Sequence, residues 1–127
     1  MKLNYKKSLS LLIMLLILLS YSIIPVSASS DYYESTYNGY NYNCSSSFSS
    51  NYLSGEMSYA GPSKINVIQD FNYMQSGYST VYTDSRIAFP QTSFVGIVTT
   101  INTGWYFTHC YYSYLIGVNT VYSVGLF

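Results

Sequence analysis

From Tyr40 to Ser49 the chain alternates: Tyr40, Tyr42, Cys44, Ser46 and Phe48 fall on one parity, and Asn41, Asn43, Ser45, Ser47 and Ser49 on the other. A period of two with the apolar residues on one parity is the pattern of a half-buried strand. The spacing therefore predicts a strand here, after a loose segment over residues 29–39. The period returns in Lys64–Gln75, where Ile65, Val67, Phe71 and Tyr73 share a parity and Gln69-Asp70 reads as a bulge or kink. Gly55 and Gly61-Pro62 bracket a short piece around Met57–Ala60, and Ser76-Gly77, Asp84-Ser85, Pro90 and Gly117 punctuate the rest. Helical periodicity and internal repeats are both missing. Short strands at this spacing predict an all-β fold, a small antiparallel β-sandwich or partly closed barrel, in a single domain over residues 40–127. An outer-membrane barrel ending on Phe127 would need nearly the whole remaining chain.

The first 28 residues follow a different rule. Lys2, Lys6 and Lys7 precede the apolar run Leu9–Leu19, and Pro25-Val-Ser-Ala28 places small residues where a signal peptidase reads. This predicts a signal peptide over residues 1–28, cleaved after Ala28, and a secreted, extracellular protein with room for cell-surface association. The alternative is an uncleaved anchor, because apolar character continues weakly through Tyr21, Ile23, Ile24 and Val26. No second long apolar run follows, so no transmembrane segment is expected in the mature chain.

Composition narrows the class further. Seventeen Tyr with abundant Ser, Thr and Asn suit pleated, half-buried surfaces. After the leader, Asp31, Glu34, Glu56, Asp70 and Asp84 stand against Lys64 and Arg86 alone. A chain so poor in cations is not built to neutralise phosphates, which excludes nucleic acid as a partner. One His and two separated Cys do not make a metal set, and no cofactor is expected.

The densest chemistry lies in Trp105–Tyr114, "WYFTHCYYSY", with the only Trp, the only His and one of the two Cys. An Asn102-Thr-Gly104 hairpin loop with Gly104 left-handed would pair Ile101 with Trp105, Thr99 with Phe107 and Ile97 with His109. Trp105 and Phe107 would then face the core. An exported chain with two Cys normally pairs them, so a Cys44–Cys110 disulfide is expected, contributing about 4 kcal/mol in the loop-entropy model. Cys44 is on the inward parity, yet Cys110 has the parity opposite to Trp105. A β-bulge near Thr108-His109 reconciles the two, because one extra residue returns Cys110, Tyr112, Tyr114 and Ile116 to the inner face.

Catalytic residues are not expected. His109 has no second His and reads as a packed or hydrogen-bonded residue; the carboxylates fall in separate segments; Cys110 beside His109 makes a poor nucleophile–base pair on a strand. Asp84-Ser-Arg86 reads as a turn carrying a surface ion pair, and Asn43-Cys-Ser45 fits the glycosylation sequon of a eukaryotic secretory route. So many Tyr cannot all be internal. Outward Tyr106 and Tyr111 with Asn41 and Asn43 are the candidate binding surface, rigid and amphipathic. The expectation is a small secreted, non-enzymatic binding protein whose partner is a cell-surface component, a glycan or a protein. The alternatives are a bacteriocin-like antagonist of neighbouring cells and a small extracellular enzyme. In composition the chain resembles the small Tyr- and Ser-rich β proteins exported by Gram-positive bacteria, among them the lactococcin-like bacteriocins; the resemblance carries no residue across.

Overall fold

A computed structural model describes residues 28–127; the leader lies outside the described residues, apart from Ala28. Eight strands follow one another: β1 (Ser29–Tyr37), β2 (Tyr40–Phe48), β3 (Tyr52–Tyr59), β4 (Ile65–Gln75), β5 (Val81–Ile87), β6 (Phe94–Thr100), β7 (Trp105–Ile116) and β8 (Asn119–Leu126). They form two four-stranded antiparallel sheets, sheet A in the order β1-β2-β3-β6 and sheet B in the order β5-β4-β7-β8. Among the described residues this is a β-sandwich and neither a partly closed nor a membrane-type barrel, since each sheet keeps two free edges.

Alternation is what drives the packing. Residues 42, 44, 46 and 48 of β2 are all buried, and the residues between them are not, as period two requires. Leu53, Met57, Ile65, Val67, Phe71 and Phe107 fill the layer between the sheets. Two sheets about 10 Å apart leave room for one layer of interdigitated side chains, and a large ring extending from one sheet spans it. Tyr112 and Tyr114 do so. From β7 their hydroxyls donate to the carbonyls of Ser47 and Ser45, each at 2.6 Å. A buried Gln69 provides a second tie, accepting from Thr99 Oγ1 at 2.6 Å. Every buried side-chain polar atom among the described residues has a partner, which removes most of its burial penalty.

Several expectations need correction. The segment over 29–39 is not loose: it is β1, joined to β2 by Asn38-Gly39 with φ of 51° and 81°. Two consecutive left-handed residues make the type I′ turn that Asn-Gly favours. Gly55 does not end a strand but lies in the middle of β3, because the Tyr112 ring passes over it; a Cβ there would meet Tyr112 Cδ1 at 2.7 Å. Asp84-Ser85 is not a turn but the centre of β5, and Gln69-Asp70 lies in unbroken β4 pairing.

The bulge in β7 is where parity required it. Asn72 pairs with His109 and Tyr73 with Phe107, which leaves Thr108 as the extra residue and puts Phe107 and Cys110 both inside. The expected β6–β7 hairpin does not form. β6 pairs with β3 and β7 with β4 and β8, so residues 101–104 cross between sheets, with Gly104 at φ 89°. Parity selects the face a residue occupies and is silent on the neighbouring strand. Val95 and Phe107 are buried in either arrangement.

The disulfide is also absent: Cys44 and Cys110 are free thiols, each fully buried. Cys44 belongs to sheet A and Cys110 to sheet B, and the register keeps them apart. Tyr114 reaches Ser45 and Tyr112 reaches Ser47, so β7 runs away from Cys44 as it approaches Cys110, and the two thiols are not at bonding distance. A disulfide needs Cβ atoms about 4 Å apart.

Candidate functional site

The bulge divides the Trp105–Tyr114 stretch between two environments. Phe107, Cys110, Tyr112 and Tyr114 are buried, whereas Tyr111 is exposed and Tyr106 and His109 are half-buried on the outer face of sheet B. Trp105 is half-buried at the end of the inner face, with Tyr73 and Tyr82 at centroid distances of 5.7 and 5.5 Å. His109 belongs to a hydrogen-bonded row across three strands. Thr83 Oγ1 donates to Asn72 Oδ1 at 2.9 Å, which leaves the Asn72 amide nitrogen, 3.1 Å from His109 Nε2, as donor to the ring. An amide orients an imidazole but takes no proton from it at neutral pH. Tyr111 packs edge-on to His109 at 5.7 Å.

The four residues expected to form one binding surface are divided between opposite faces. Asn41 and Asn43 project from the outer face of sheet A, into a hollow of about 700 Å³ shared with Glu34 and Ser58. Tyr106 and Tyr111 are on the outer face of sheet B, where the Tyr106 hydroxyl contacts Met74 Sδ at 3.7 Å. They cannot engage one ligand together.

Neither thiol is arranged for chemistry. Burial pushes Cys44 and Cys110 up to about 12, so the thiolate that a nucleophile needs is disfavoured. Burial likewise raises Tyr112 and Tyr114 well above the ordinary phenol value. One flank of the sandwich is closed by side chains. Tyr33 of β1 stacks on Tyr122 of β8 at 4.2 Å, and the Tyr122 hydroxyl donates to Asp31 at 2.6 Å. That hydrogen bond, reinforced by desolvation, pushes Tyr122 up to about 12.

The opposite flank, between the β5 and β6 edges, is not closed. All seven residues of β5 are exposed, because β6 packs over β4 and, among the described residues, no strand of sheet A covers β5. A trough of about 550 Å³ runs between the two edges, lined by Arg86, Ile87, Phe89, Phe94, Ile97 and Val98 among others. Ile87, Phe89, Phe94 and Val98 are each more than half exposed, with Phe89 at 88 %. The arch from β5 to β6 closes one end, anchored by reciprocal backbone hydrogen bonds between Gln91 and Ile65 at 2.8 and 3.1 Å. The sequence carried a signal for this flank. "FVGIVTT" has large apolar residues on both parities, Phe94 and Val98 as well as Val95 and Ile97, which a strand with one wet face does not need.

No family model matches the chain, and no curated protein or solved structure is significantly similar to it.

Proposed function

We propose that the chain is a small secreted, non-enzymatic interaction protein that engages a macromolecular partner through its β5–β6 flank. The observation that carries this reading is the concentration of exposed Ile87, Phe89, Phe94 and Val98 along two unpaired sheet edges. Exposed apolar surface of this kind costs free energy in water and is retained where something covers it. Few charges surround the trough, which suits a protein partner over a polyanion.

The test is retention of labelled mature protein on the surface of cells from its own culture, compared with a Phe94→Lys/Val98→Lys variant. Both positions point outward from sheet A, so the variant folds. Loss of retention is expected; equal retention of a folded variant overturns the reading. A second reading rests on the Asn41–Asn43 hollow, whose amides and Glu34 carboxylate have the donors and acceptors that sugar hydroxyls take up. Loss of retention in Asn41→Ala/Asn43→Ala, with the lysine variant unaffected, would favour that reading. Viable counts in the same assay separate a binder from an antagonist of neighbouring cells.

A further inference from the structure

The β5–β6 flank has the shape of a sheet with one strand missing. Tyr82, Asp84 and Arg86 lie opposite Tyr73, Phe71 and Gln69 in the β4–β5 register. The latter three face the inter-sheet layer, so the former three do too. Yet all of β5 is exposed, because sheet A ends at β6 before reaching it. Beside β6 there is consequently space for one more strand, backed by the inner face of β5. The β6 edge facing that space has no partner strand among the described residues, and it carries no charge, proline or bulge to discourage pairing. The other flank has no equivalent opening, since Tyr33 and Tyr122 fill it.

We infer that this position accepts an extended peptide segment of the partner, added to sheet A as a fifth strand along β6, with alternate apolar residues and one carboxylate directed at Arg86. The inference rests on the proposed function and specifies how the partner is held. Main-chain hydrogen bonds to the β6 edge supply the pairing, and pockets on alternate positions supply selectivity. Inward residues of the added strand meet Ala88 and Ile97, and outward ones lie beside Phe94 and Val98. Arg86 is the one cation lining the trough, so an inward Asp or Glu is the complementary residue at its level. A second copy of the chain fits less well, since a two-fold axis beside β6 would crowd the overhanging β5 strands of both copies.

The experiment selects short random peptides displayed on phage against the mature protein, then measures one synthesised binder by fluorescence anisotropy. The expected binder alternates apolar residues and contains one acidic position. Arg86→Glu weakens it by about tenfold, the scale of one charge-assisted hydrogen bond, and a Lys at the acidic position restores it. N-methylation of alternate peptide amides abolishes binding, and β6 amides gain hydrogen-exchange protection in the complex. Binding that survives N-methylation on both alternations, or is indifferent to Arg86→Glu, overturns strand addition. So does a selection in which every binder holds Phe94→Lys/Val98→Lys as tightly as the unsubstituted protein. The cell-retention assay judges the proposed function separately: retention lost in the lysine variant while strand addition fails leaves the flank as the docking surface and removes only the added strand.

Discussion

The Tyr114 hydroxyl, carried on β7, donates to the Ser45 carbonyl on β2 at 2.6 Å while Ser46 Oγ lies 2.5 Å from it. A ring rooted in one sheet thereby ends in hydrogen bonds to the other. Tyr114→Phe keeps the ring and removes the bridge, leaving the buried Ser46 hydroxyl without its partner. A loss of about 1–3 kcal/mol is expected, read from urea denaturation. Tyr112→Phe, which loses the Ser47 carbonyl contact, should behave similarly.

Gly55 lies beneath the Tyr112 ring. Gly55→Ala introduces a Cβ 2.7 Å from Tyr112 Cδ1 and 3.1 Å from Val67 Cγ1, in a layer with no slack. Overpacking of about 1–3 kcal/mol is expected, and a Tyr112→Leu partner substitution should recover part of it. Thermal melts of the single and double variants measure the coupling.

Both thiols are buried and reduced. Iodoacetamide should leave the folded protein unmodified at neutral pH and label both cysteines after unfolding, and a reductant should not shift the melting temperature. Their folded-state values, about 12 against an ordinary 9.0, favour the neutral form. The associated stability is fully present below about pH 9 and is lost as pH climbs towards 12, with the phenol of Tyr122 acting in the same direction. Circular dichroism against pH checks the sign: stability that rises through this window would contradict it.

Phe107 and His109 bracket the bulge residue Thr108, one inside and one outside. Phe107→Ala should cost about 3–5 kcal/mol, against a cost within about 1 kcal/mol for His109→Gln, because the half-buried ring has its Asn72 hydrogen bond and Tyr111 contact to lose. Surface retention should survive His109→Gln; a folded variant that no longer binds would assign the outer face of sheet B a role in docking.

Cleavage after Ala28 would leave β1 intact from its first residue, Ser29. Intact-mass analysis of the culture supernatant should give a chain beginning at Ser29, and a species retaining Met1 in the membrane would instead establish the anchor.

Much of this fold was legible in single residues of the chain. Alternation from Tyr40 onward identified β2, and the conflict between the parities of Trp105 and Cys110 called for a bulge near Thr108-His109, because side chains on a strand have only two faces to choose from. A loose reading of 29–39 passes over Asn38-Gly39, the dipeptide of the one turn type that wants two left-handed residues in succession, because the polar run around it reads as a linker. Which strand lies beside which was a different matter. The same inward parity buries Val95 and Phe107 whether β6 and β7 pair in one sheet or face each other across two, and only the completed sheets separated them. That choice set Cys44 and Cys110 far apart, placed Gly55 under Tyr112, and sent Asn41 and Tyr111 to opposite faces. It also left β5 uncovered, since the offset of one sheet over another arises from the packing of all eight strands and is written in none of them alone.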